Sequence, residues 1–244
     1  MIFYYMQLYY IINLSPFQPP ISPVLPLYVD YSSALEYNRD MIPKKAALVL
    51  NAPELNPDLI TEEYIVAADA GFRHVRDKKV AALIGDLDTL GKAPKGINLI
   101  RFPVEKNATD GELAIDYLHE QGCKLLTIYG AFGGKIEHII GNLNLLAYAD
   151  SLGISAHIND GNMSAYFCRN YIEIPSVKGD EVSIFPFGGN AVAARSEGLY
   201  YPLNDLTLDS KKSRGISNRA TADKIVLQIS EGAVMILLRR AKTV

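Results

Sequence analysis

Residues 107–135 read NATDGELAIDYLHEQGCKLLTIYGAFGGK, and this stretch decides the fold class. Thr109 followed three residues later by Glu112 is a capping box. Leu113/Tyr117 and Ala114/Leu118 share one helical face, and Gly122 ends the pattern. The spacing therefore predicts a helix that leads into a short apolar strand, KLLTIYG, which breaks at a glycine-rich turn. A second helix is expected from KIEHIIGNLNLLAYADSLG, where Ile136, Ile139, Ile140, Leu143, Leu146 and Ala147 form an apolar stripe closed by Gly153.

Upstream, the runs AALVLN, YIVAADAG, VAALIGDLDTL and NLIRFP have the length of buried strands. Strands interleaved with helical segments imply parallel βαβ units. Beyond residue 153 the chain changes to short β-rich runs separated by turn residues, with no useful helical period. The last two runs flank a tight SEGA turn (230–233), which signals a hairpin. The expected division is an α/β domain over 41–153 and an all-β domain, a sandwich or barrel, over 154–244.

Residues 1–40 are of another character. MIFYYMQLYYIINL is apolar but falls short of the roughly 20 residues needed to cross a bilayer, and it lacks secretory or mitochondrial leader features. A proline-rich segment follows, excluding helix and central strand. We read 1–40 as an extension outside the fold, with Met41 as a possible start. The net charge of −3 comes from 24 basic and 27 acidic residues, with no basic block, so no nucleic-acid footprint and no membrane association are expected. The two cysteines, Cys123 and Cys168, are widely separated, which favours a reducing compartment such as the cytoplasm.

The polar residues gather after the strands, where open parallel sheets bind ligands. These clusters are Asp69 and Gly71 in AADAG, Asp86 and Asp88 in GDLDT, Lys106, Thr109 and Asp110 in EKNATD, and Gly130, Gly133, Gly134 and Lys135 in GAFGGK. Asp86 and Asp88 would share a face if strand geometry persists through Gly85, and such a pair calls for a divalent cation or a shared proton. On LIGDLDTL alone, a solvated turn is the better reading. With the other clusters, the carboxylates suit Mg²⁺, and the lysines and glycine amides suit phosphate oxygens, so a Mg-nucleotide fits both. The Walker spacing and the G-x-G-x-x-G pattern are absent.

From about Lys45 to the end, the motifs resemble those of the thiamine pyrophosphokinase (thiamine diphosphokinase) family. IGDLDTL is similar to its G-D-F-D-S, KNATDGELA to K-D-x-T-D-x-E-x-A, and GAFGGKIEHIIGNLNLL to G-A-x-G-G-R-x-D-H-x-x-x-N-x-x-L-L. In the second half, EGLYYPL resembles G-x-x-Y-P-L and GISNRA resembles G-x-S-N-E. The resemblance implies a Rossmann-like N-terminal nucleotide domain, a C-terminal β-sandwich, a homodimer with interface sites, and ATP as co-substrate with thiamine. It implies Asp86, Asp88 and Asp110 as the catalytic Mg²⁺ ligands. Asp69, Gly71, Lys106, Thr109, Gly133, Gly134 and Lys135 would bind or frame the nucleotide, and His138, Asn142, Ser217 and Asn218 would serve thiamine. Asn107, Lys135, Glu137 and Arg219 depart from the family pattern. No general base is assigned. A metal-dependent nucleotide phosphohydrolase and a non-catalytic thiamine or nucleotide sensor are the alternatives. His74, His119 and His157 carry no motif, and Tyr201 is expected to pack the β domain.

Overall fold

The computed structural model describes residues 45–85, 95–102 and 107–241; the extension 1–40 and Met41 lie outside them. The capping box forms as expected. The Thr109 hydroxyl accepts from the Glu112 amide at 3.2 Å and Glu112 Oε2 accepts from the Thr109 amide at 2.7 Å, opening α1 (Asp110–Glu120). Two orphan amides are thereby satisfied at the helix start. Gly122 follows in the left-handed region at φ 81°, turning the chain toward its next strand.

The strands of the first half are β1 (Lys45–Val49), β2 (Ile65–Ala68), β3 (Val80–Gly85), β4 (Leu99–Arg101), β5 (Leu125–Tyr129) and, after α2 (Ile136–Ser151), β6 (Ser155–Asn159). They pair in parallel in the order β4-β3-β2-β1-β5-β6. Short 3-10 turns at Pro57–Leu59 and Asp69–His74 connect β1 to β2 and β2 to β3. The helices α1 and α2 cover one face. There Leu48, Ile84, Ile128, Ile115, Leu118 and Leu146 share a core, while Val49, Ile60, Leu83 and Tyr129 pack on the opposite face.

The stripe on α2 is buried only in its second half. Leu145, Leu146 and Ala149 are buried, whereas Ile136 and Ile140 are 73% and 56% exposed. Leu143 packs partly against the core and full burial begins at Leu145, so periodicity alone overstated the buried face.

The second half adds β7 (Met163–Cys168), β8 (Tyr171–Pro175), β9 (Glu181–Pro186), β10 (Ala191–Glu197), β11 (Leu206–Leu208), β12 (Asn218–Arg219), β13 (Lys224–Glu231) and β14 (Val234–Arg239). β7 pairs antiparallel with β6, so a single ten-stranded mixed sheet, β12-β9-β14-β7-β6-β5-β1-β2-β3-β4, runs through both halves. A four-stranded sheet, β11-β10-β13-β8, shares a core with its antiparallel end through Ile225, Leu227 and Ile229 facing Val182, Ile184 and Ile236.

The expected hairpin does not form: β13 pairs with β8 and β10, and β14 pairs with β7 and β9. Both strands bury alternate apolar residues in the same core from opposite sides, so the turn crosses between sheets instead of pairing its flanks. Gly232, at φ 71°, makes that crossing; a Cβ there would lie 2.3 Å from the Asn190 carbonyl oxygen. No helix among the described residues is long and apolar enough to cross a membrane.

Candidate active site

Chain order reverses between β1 and β5, with β2 to β4 on one side and β6 on the other. At such a point adjacent loops leave in opposite directions and open a crevice at the carboxyl ends of the strands. Its rim is built from the segments following β1, β2, β5 and β6.

After β2, Asp69 takes φ 42° and opens the 3-10 turn. A left-handed non-glycine residue costs about 1–2 kcal/mol. Its Oδ1 is buried, and has no hydrogen-bond partner among the described residues. Gly85 ends β3 against it: a Cβ on Gly85 would sit 3.3 Å from both Cα and Cβ of Asp69. Two residues on, Gly71 has no room for any side chain, since a Cβ would approach the Val49 carbonyl oxygen to 2.3 Å. The turn is tied down by Arg73 donating to Asn51 Oδ1 and by His74 Nε2, 2.9 Å from the Ala52 carbonyl oxygen. That carbonyl can only accept, so His74 carries its proton on Nε2.

After β5, Gly130 stands at φ 70° against the Leu50 carbonyl, and Gly133 and Gly134 follow at 79° and 85°. Pro53 lies under both, its Cδ at 3.3 and 3.6 Å from where their Cβ atoms would be. The Asp160 carboxylate, immediately after β6, accepts from three successive amides: Gly130 at 2.6 Å, Ala131 at 3.0 Å and Phe132 at 2.8 Å. Burial pushes this carboxyl above the usual range, against the pull of the amides and of nearby His74. From the other side Asn142 Nδ2 donates to the Ala131 carbonyl at 2.9 Å. Lys135, Glu137 and His138 are exposed at the start of α2.

Beneath β1 and β5 lies buried Glu62, which accepts from Thr127 Oγ1 at 2.7 Å and Tyr129 Oη at 2.9 Å, with Lys45 Nζ at 3.4 Å. Burial alone would raise its carboxyl; the hydroxyls and Lys45 bring it below the usual range. This network holds the segment before β2 to the sheet.

The expected residues thus fall into groups. Asp69, Gly71, Asn142, Gly133, Gly134 and Lys135 line neighbouring rim segments. Thr109 caps α1 with its hydroxyl, and half-buried Asp110 is the first residue of that helix. Asp86, Asp88 and Lys106 lie outside the described residues. Among the described residues no three His, Cys, Asp or Glu side chains gather to hold a metal ion.

Ser217 and Asn218 are elsewhere, at the far end of the long sheet. Their strand β12 stands five strand spacings from β5, roughly 24 Å at about 4.8 Å per spacing. Ser217 is left-handed at φ 58°, and its amide donates to Ser183 Oγ at 3.2 Å. Asn218 is buried and its amide group is engaged with Tyr201. Contrary to expectation, Tyr201 does not pack inward: Tyr200 and Tyr201 are 58% and 60% exposed, stacked edge-to-face at 4.8 Å, with the Arg219 guanidinium 5.5 Å above the Tyr200 ring. An aromatic pair held outward in this way is a ready platform for a planar ligand.

Sequence reasoning missed Asp160 and Glu62. Neither residue stands in any of the motifs singled out from the sequence. No local signal marks either, because their partners lie 28–30 and 65–67 residues away.

Residues 58–158 match the model of the thiamin pyrophosphokinase catalytic domain and residues 169–234 that of the thiamin pyrophosphokinase vitamin B1 binding domain, together more than half of the chain. Thiamine pyrophosphokinase of Bacillus subtilis is 24% identical over 220 residues, covering 80% of this chain and 98% of that protein. Among solved structures, the thiamine pyrophosphokinase of Bacillus subtilis superposes with a TM-score of 0.71 at 21% identity, covering 81% of this chain and 99% of that one. The Candida albicans enzyme gives 0.68 at 14% identity, over 81% and 89% of the two chains. These structures share the fold.

Proposed function

The chain belongs to the thiamine pyrophosphokinase family, and from that premise we propose that it transfers the diphosphoryl group of Mg-ATP to the hydroxyl of thiamine, giving thiamine diphosphate and AMP. The observation that carries this reading is the ordered match to both family domains, catalytic then vitamin-binding, along one chain. We read 41–153, which carries five of the six parallel strands, as a Rossmann-like nucleotide domain and 154–244 as the thiamine-binding domain, in a cytoplasmic enzyme.

The strained Asp69, whose buried oxygen beside the end of β3 has no hydrogen-bond partner among the described residues, is the kind of group a cation-bearing ligand satisfies. The donor set of carboxylates suits Mg²⁺, which Asp86, Asp88 and Asp110 would hold. Bound there, the ion would neutralise charge on the triphosphate. The thiamine hydroxyl oxygen bonds to the β-phosphorus, the bond from that phosphorus to the α-bridging oxygen breaks, and AMP leaves with that oxygen. The hydroxyl proton passes to a rim aspartate or to water. Such transfers depend on in-line positioning and charge compensation, so Lys106, Lys135 and the Gly133 and Gly134 amides matter more than a strong base.

His138 and Asn142 lie far from Ser217 and Asn218 within one chain, and Ile136 and Ile140 leave an apolar face open at the start of α2. Both features favour a homodimer in which one copy supplies the nucleotide rim and the other the Tyr200–Tyr201 platform.

The test is to incubate the protein with ATP, Mg²⁺ and thiamine and identify products by phosphorus NMR, with Asp88→Asn in parallel. Thiamine diphosphate and AMP, lost in the variant, are expected. Phosphate or diphosphate released without thiamine would replace the reading with a hydrolase, and binding without product with a sensor.

A further inference from the structure

We propose that Asp160 is a positioning residue for nucleotide binding: its carboxylate fixes the backbone of 130–132 so that only Gly133, Gly134 and Lys135 of the glycine-rich loop meet the triphosphate. The inference rests on the diphosphokinase reading.

Each backbone amide has a single hydrogen to give. Those of Gly130, Ala131 and Phe132 are already directed at Asp160, at 2.6–3.0 Å. Three convergent amides form the concave nest that ordinarily holds a phosphate, and here an internal anion fills it. The loop is also gripped from its carbonyl side by Asn142 at Ala131, and from below by Pro53. Held in this way, Gly133 and Gly134 keep left-handed backbones over Pro53 and remain exposed together with Lys135. Asp160 comes from the end of β6 and the loop from the end of β5, so the contact also ties the loop to the strand that joins the two halves of the long sheet.

Asp160→Asn is the informative variant, because the new amide turns donors toward donors and cannot hold three N–H groups. Misplacing the loop by about 1 Å should lower kcat/KM for ATP by roughly 10- to 100-fold, with KM for thiamine unchanged. Asp160→Glu, which keeps the charge, should recover part of that loss, and it serves as the folded comparison if the asparagine variant does not fold. Hydrogen exchange should speed up at 130–132 and spread to 133–135. Equal losses toward ATP and thiamine, or a lowered melting temperature with unchanged ATP kinetics in both variants, would overturn the proposal. Calorimetric titration with α,β-methylene-ATP keeps it separate from the catalytic reading. If the wild type makes no thiamine diphosphate, weaker analogue binding by Asp160→Asn still supports the role of Asp160, and unchanged binding refutes it.

Discussion

Asn218 and Tyr201 are joined as if by a peptide ladder: Asn218 Oδ1 accepts from the Tyr201 amide at 3.0 Å and its Nδ2 donates to the Tyr201 carbonyl at 2.7 Å. Oδ1 also accepts from the Arg219 amide at 2.8 Å. A buried side chain thus holds an exposed aromatic pair in place. Asn218→Ala leaves three backbone groups without partners, at about 1–3 kcal/mol for each that stays dry. The expected outcome is a lowered urea midpoint and a raised KM for thiamine with the KM for ATP unchanged. Loss of stability without any change in thiamine KM would make Asn218 structural only.

Asp69 should show the opposite balance. Its left-handed backbone, and a buried oxygen with no hydrogen-bond partner among the described residues, cost stability that a bound ligand would return. Asn tolerates the same backbone and carries no charge. In the absence of Mg²⁺ and ATP, Asp69→Asn is expected to melt no lower than the wild type, while activity falls at least about tenfold. A clearly lower melting temperature would show that the charge serves the fold.

Two glycines separate steric from conformational cost. Gly71→Ala drives a methyl into the Val49 and Leu50 backbone, with contacts of 2.3 and 2.9 Å, and should destabilise by about 3 kcal/mol or more. At Gly122, φ is 81° and an added Cβ would meet no atom within 4 Å beyond its chain neighbours, so Gly122→Ala should cost only about 1–2 kcal/mol. Chemical denaturation of the two variants ranks them directly.

Glu62 gives stability a pH dependence. Its carboxyl lies below the usual glutamate range in the folded state: burial raises it, but Thr127, Tyr129 and Lys45 outweigh that effect. The stabilisation is therefore complete above the unfolded value and is lost as pH falls through the folded one. Glu62→Gln should flatten the acid limb of the stability curve, read as the urea midpoint from neutral pH downward. A parallel curve would show that the group does not titrate differently on folding.

A site shared between copies predicts complementation. Asp88→Asn damages the nucleotide end and Tyr201→Ala the platform, so each alone should be nearly inactive. Mixing them, with subunit exchange confirmed by mass spectrometry, should restore measurable activity through mixed dimers. Sedimentation as a monomer, or no recovery after exchange, would place the whole site in one chain.

Local features were legible because their physics is local. The capping box at Thr109, the stop at Gly122 and the parallel strand runs each follow from residues a few positions apart, and each appears in the structure. The SEGA turn misled because a tight turn specifies a change of direction and not the sheet its strands join. The stripe on α2 misled because periodicity names a face without saying how far a neighbour covers it.

By itself the sequence determined the helices, the parallel strands and the family to which the chain belongs. Short-range hydrogen bonding and the alternation of apolar residues are written along the chain, so they can be read without coordinates. Only the tertiary structure decided that one sheet runs through both halves, that Asp160 fills the nest of the glycine-rich loop, and that Ser217 and Asn218 stand far from α2. Those relations join groups tens of residues apart. They arise when burial of apolar faces brings distant segments together, and no local preference encodes which buried donor will meet which acceptor.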